Sequence, residues 1–60
     1  MSNEEMLALV KEHLGIEDDS KDLLITDVIR ECLSYCNLKE PPAELEPFIR
    51  RKIKTILDYE

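Results

Sequence analysis

Between Asp19 and Leu38, apolar residues fall at Ile25, Val28, Ile29, Cys32, Leu33 and Cys36, recurring every three or four positions. That spacing puts side chains on one face of an α-helix and predicts a central helix over about 20–37. Leu24 and Tyr35 widen the stripe beyond a single seam, so this helix is expected to meet neighbours on two sides. Before it, Ser2 followed three residues later by Glu5 has the spacing of a capping box, which opens a first helix over 3–14. Leu7, Val10 and Leu14 share one face of that helix, with Met6 and Leu9 bordering it. Gly15 supplies a left-handed stop, and Ile16 is expected to pack back over the helix end.

Beyond Leu38 the run Lys39, Glu40, Pro41, Pro42 halts the central helix, because proline has no amide to donate and drives its predecessor toward extended geometry. Residues 43–46 allow one further helical turn, and Pro47 suits the first position of a third helix over 47–59. Phe48, Ile49, Ile53, Ile56 and Leu57 would face inward there, with Arg50, Arg51, Lys52 and Lys54 outward. No alternating strand pattern, internal repeat or flexible linker interrupts the three segments. The predicted architecture is therefore all-α, a small three-helix bundle forming a single helical domain over 1–60.

Length changes the picture first. A chain of 60 residues buries only about 60% of the surface its unfolded form exposes, so self-association or a partner is a natural source of additional burial. The composition, 43% hydrophobic and 37% charged with a single Gly, is that of a folded helical protein. Net charge is −6, with a pI near 4.6, which argues against nucleic-acid binding because phosphate recognition rests on Lys and Arg. The charge is also unevenly placed: residues 1–46 carry 12 acids and 4 bases, and residues 47–60 carry 2 acids and 4 bases. The acidic Glu17, Asp18 and Asp19 and the basic Arg50, Arg51, Lys52 and Lys54 are accordingly the candidate protein-interface residues, able to attract one another between copies.

The remaining chemistry is sparse. Glu17, Asp18, Asp19 and Ser20 lack the alternating ligands, central Gly and distal Glu of a calcium loop, so Asp19 or Ser20 is expected to cap the central helix and Asp22 to favour its dipole. Cys32 and Cys36 lie on the apolar stripe and read as packing residues of a reduced, intracellular protein. With one His in the chain, His13, they do not supply four zinc ligands. His13 has no nucleophile near it in sequence, and Tyr35 and Tyr59 read as packing residues. There is no phosphate-binding Gly-rich loop, nucleophile elbow or metal spacing, so no enzyme, cofactor or small-molecule substrate is expected. The acidic N-terminus is unlike a signal peptide, and no apolar run reaches the length of a membrane span.

The string itself adds a resemblance. Leu7 to Leu14, then Gly15, Ile16, the acidic Glu17, Asp18, Asp19 and Ser20, and Lys21, Asp22, Leu23 and Leu24 leading into the central helix resemble the start of bacteriophage head-tail connector (adaptor) proteins, found also in prophages. The helix end at Tyr35, Cys36 and Asn37, the segment Pro41, Pro42, Ala43, Glu44, Leu45, Glu46, Pro47, and the third amphipathic helix follow in the same order and spacing. The resemblance implies a structural role without cofactor or reaction: copies form a ring homo-oligomer that docks on the portal and offers a platform to the tail, assembled in the bacterial host cytoplasm and retained in the virion. Family members continue past the third helix, so the chain is expected to be the N-terminal core of a longer connector: a fragment, a truncated gene or a degenerate prophage copy. Two other readings stand beside it. One is a small helical module that takes a protein partner into an apolar groove, and the weaker one is a DNA-binding helix-turn-helix using the third helix.

Overall fold

Ser2 opens the first helix as its spacing predicts. Its hydroxyl accepts from the Glu5 amide at 3.1 Å, and its own amide donates to the Glu5 carboxylate at 2.9 Å. A computed structural model describes residues 1–59. Among them the chain forms α1 (Asn3–Leu14), α2 (Asp22–Cys36), a single 3₁₀ turn (Ala43–Leu45), and α3 (Glu46–Asp58), into which that turn runs directly. Each helix packs on the other two. This is the expected all-α three-helix bundle, with the additional turn at the expected place.

Gly15 stops α1 at φ +72°, where a side chain would be strained. Its amide donates to Glu12 and the Ile16 amide to Lys11, a Schellman arrangement that folds Ile16 back against the core. The same device ends α2. Asn37 sits at φ +58°, and the Leu38 amide donates to the Leu33 carbonyl at 2.9 Å, so the helix closes at an asparagine four residues before the first proline. Asn tolerates this backbone better than other non-glycine residues.

The start of α2 differs from expectation. Lys21, not Asp19 or Ser20, holds the cap position, and no side chain caps the helix. Both candidates are engaged elsewhere: the Asp19 carboxylate accepts from Lys11 at 2.9 Å, and Ser20 donates its amide at 3.1 Å and its hydroxyl at 2.7 Å to the Asp18 carboxylate. A short polar side chain satisfied by another partner is no longer available to the next helix. α3 begins one residue earlier than expected, placing Pro47 second in the helix, where its missing amide still lacks an intrahelical acceptor.

Six side chains with no exposed surface form the centre of the core: Met6 and Val10 from α1, Ile25 and Ile29 from α2, and Ile49 and Ile53 from α3. Val28, Cys32 and Leu33 extend it. Complete burial of each such aliphatic chain contributes about 1.5–3 kcal/mol. Met6, expected at the border, lies at the centre, while Leu7 and Leu14 are only half-buried. Four expected packing residues lie outside: Cys36 and Phe48 are exposed, Tyr35 is 93% exposed, and Tyr59 is exposed as well. The reason is geometric. Two neighbours cover only part of the circumference of α2, which leaves Tyr35 and Cys36 outside, while Phe48 stands in the first turn of α3 and Tyr59 follows its last residue.

Candidate functional site

Two oppositely charged regions and one apolar groove are built on this frame. The first region is the corner where α1 turns into α2. Lys11, near the end of α1, reaches across it to Asp19 at 2.9 Å and to Asp22 at 2.7 Å. Asp22 first, and Asp19 second, hold the Lys11 ammonium pKa above its ordinary value. The Ser20 hydroxyl and amide hold the Asp18 carboxyl below the ordinary range. Glu17 is exposed at the same corner. Sequence reasoning placed Glu17, Asp18 and Asp19 together, and the structure brings them together; Asp18 and Asp19 are engaged within the chain as well. Just past them Leu23, 74% exposed, stands out from the first turn of α2.

The second region is α3. Arg51, Lys52 and Lys54 are exposed, but Arg50 is drawn inward, its Nε 3.3 Å from Glu46 one turn earlier. Glu46 is the one buried charged residue among the described residues, only 4% exposed. Its other oxygen lies 3.0 Å from His13 Nδ1, so a carboxylate at the start of α3 is held between the end of α1 and the second turn of α3. At the first position of a helix, a negative charge also suits the positive end of the dipole. Nothing in local spacing signalled the pairing of His13 with Glu46, because it joins residues far apart in sequence.

Between the last turns of α2 and the start of α3 runs an apolar groove of about 530 Å³. Cys32, Tyr35 and Cys36 line one side, and Leu45, Phe48 and Lys52 the other, with Glu31 at the rim. A shallower hollow continues along α3 past Phe48 and Lys52 to Arg51 and Thr55. The groove is an apolar channel with one anion, Glu31, and one cation, Lys52, at its border, and Arg51 joins Lys52 in the adjoining hollow. Burial pushes the Cys32 thiol pKa up, while Cys36 is exposed and is the more accessible thiol. The sequence reading missed the groove because it assigned Tyr35, Cys36 and Phe48 to the core. The signal available was a surplus of apolar positions over what two neighbours can cover.

Among the described residues no cluster of three or more His, Cys, Asp or Glu is placed to hold a metal ion. No described helix is long and apolar enough to cross a membrane. What the arrangement offers is surface: an acidic corner carrying an exposed Leu, a basic helix face, and an apolar groove beside that face. In comparisons with known proteins, the family model described as phage gp6-like head-tail connector protein matches residues 4–57, a span that takes in all three helices. No curated protein and no solved structure matches.

Proposed function

The chain belongs to the phage gp6-like head-tail connector family, and from that premise we propose that it is one subunit of a ring of identical copies joining the capsid portal to the tail. The observation that carries this reading is the extent of the match, which includes the corner, the groove and the basic face alike. The role is structural: the subunit works by presenting surfaces, to its own copies, to the portal and to tail proteins. Assembly takes place in the host cytoplasm, and the product is part of the virion. Ring contacts are heterologous, one face of a subunit meeting a different face of the next, and the rotation per copy fixes the number at closure.

Sedimentation velocity over a wide concentration range, at low and high salt, tests this. A discrete species well beyond a dimer is expected at low salt, diminishing at high salt where exposed charge pairs are screened. A monomer or dimer under every condition refutes ring formation. That result would favour the second reading, a helical module binding one protein partner, for which the groove at Tyr35 and Phe48 is the supporting feature.

A further inference from the structure

The ring reading leaves open which faces meet, and the molecule offers a specific complement. The groove is apolar inside, with Lys52 on its α3 side and Glu31 at its rim, and Arg51 stands beside Lys52 in the hollow that continues it. The corner before α2 has the opposite character: Glu17, Asp18 and Asp19 are exposed in the segment that leads into α2, whose first turn leaves Leu23, a large apolar side chain, 74% exposed. We infer that the acidic corner of one copy docks head-to-tail on the groove of the next, with Leu23 entering between Tyr35 and Phe48 and the corner carboxylates facing Arg51 and Lys52.

This rests on the ring reading and adds its contact surface. The two halves cannot meet within one chain. Leu23 and Cys36 lie on the same straight helix thirteen residues apart, which at 1.5 Å per residue separates them by about 20 Å. Placed at opposite ends of α2, the two surfaces give each copy one donor end and one acceptor end. That polarity is what a heterologous, ring-closing contact requires. The match is one of both charge and hydrophobicity. It covers Phe48, which is 52% exposed, and Tyr35, two of the largest apolar surfaces the bundle leaves uncovered. A single contact of this size is small, so assembly depends on concentration until the ring closes.

Cys36 makes the contact directly testable, since it is an exposed thiol in the groove. The variant Leu23→Cys, oxidised mildly with copper phenanthroline, should give a ladder of disulfide-linked oligomers. Peptide mapping should show position 23 of one copy joined to Cys36 of another. A bond within one chain is excluded by the 20 Å separation, because a disulfide needs Cα atoms within about 7 Å. The unsubstituted protein, with Cys36 alone exposed, should stop at dimers. Glu17→Lys or Lys52→Glu should each lower the ladder yield roughly two- to tenfold, and combining the two should restore it, as charge exchange across one contact demands. Circular dichroism of each variant checks that the bundle stays folded.

A 23-to-36 linkage that ends at dimers would overturn the head-to-tail arrangement and the ring reading with it. Discrete large oligomers in sedimentation without that linkage, and unmoved by the charge variants, would overturn this contact and leave the ring reading standing.

Discussion

Arg50→Ala should destabilise the bundle by about 1–2 kcal/mol, far more than the same change at its neighbour Arg51. Removing one partner from a fully buried ion pair costs about 3–5 kcal/mol, because the remaining charge is stranded away from water. An exposed pair contributes about 0–1 kcal/mol. The Glu46 side chain is only 5% exposed, while Arg50 is 36% exposed, so this pair falls between the limits. The Glu46 Oε2 atom is buried and makes no well-aligned hydrogen bond, which leaves the Arg50 Nε at 3.3 Å as its principal compensation. Among the described residues Arg51 has no such buried partner, and its substitution should stay within about 0.5 kcal/mol.

With an unfolding entropy of about 2.1 cal/mol/K per residue, 60 residues convert each kcal/mol into roughly 8 °C of Tm. Arg50→Ala should therefore lower Tm by about 8–16 °C and Arg51→Ala by less than about 4 °C, read by circular dichroism at 222 nm. The difference should persist at high salt, because ions screen a buried carboxylate poorly. A double-mutant cycle pairing Arg50→Ala with Glu46→Gln isolates the coupling. Equal melting temperatures for the Arg50 and Arg51 variants, or a coupling below about 0.3 kcal/mol, would refute the argument that Arg50 compensates the buried Glu46 carboxylate within α3.

The other predictions concern the same frame. Ile29→Ala, at a position with no exposure, should cost about 2–5 kcal/mol, a large part of the roughly 3–9 kcal/mol available to a domain of this length; urea titration should show a much earlier or absent transition. Gly15→Ala should lower Tm through backbone strain alone, by about 1–2 kcal/mol, since nothing lies within 4 Å of the added methyl. Stability should decline at both ends of the pH scale. The Glu5 and Asp18 carboxyls, lowered in the fold, stabilise above their ordinary pKa values near 4 and lose that contribution as pH falls through the lowered values. The raised Lys11 ammonium stabilises below its ordinary value of 10.5 and loses its contribution as pH rises beyond it. Melts across the pH range should show both limbs; the raised Cys32 thiol adds to the alkaline one, so Lys11→Met should reduce that limb without abolishing it, and an alkaline limb unchanged in that variant would contradict the assignment.

How far the sequence disclosed this structure depended on the range of the interaction concerned. Signals complete within a few residues were legible: the Ser2 and Glu5 box, the Gly15 stop with Ile16 behind it, and the prolines around the 3₁₀ turn all describe groups satisfied by near neighbours. Where two local solutions competed, the reading went wrong. Asp18 could close a turn on Ser20 or leave its neighbours to cap α2, and periodicity carries no information about which wins. Contacts between distant segments were not legible at all, and His13 with Glu46 is the example.

The largest discrepancy, however, carries functional information. A helical stripe records which residues avoid water, without recording whether the cover comes from the same chain. Tyr35, Cys36 and Phe48 continue the apolar pattern of the core, yet the bundle has no element left to place over them. Leu23, which the sequence reading did not place in the core, is also left uncovered at the other end of α2. Sequence and fold therefore disagree at the groove. A subunit whose partner is another copy of itself would encode its missing neighbour in this way, since the same chain must supply both the uncovered groove and the side chain that fills it. In a bundle of this length, burying those residues between copies would also add to a thin stability margin, so the proposed contact between copies should raise the melting temperature with protein concentration.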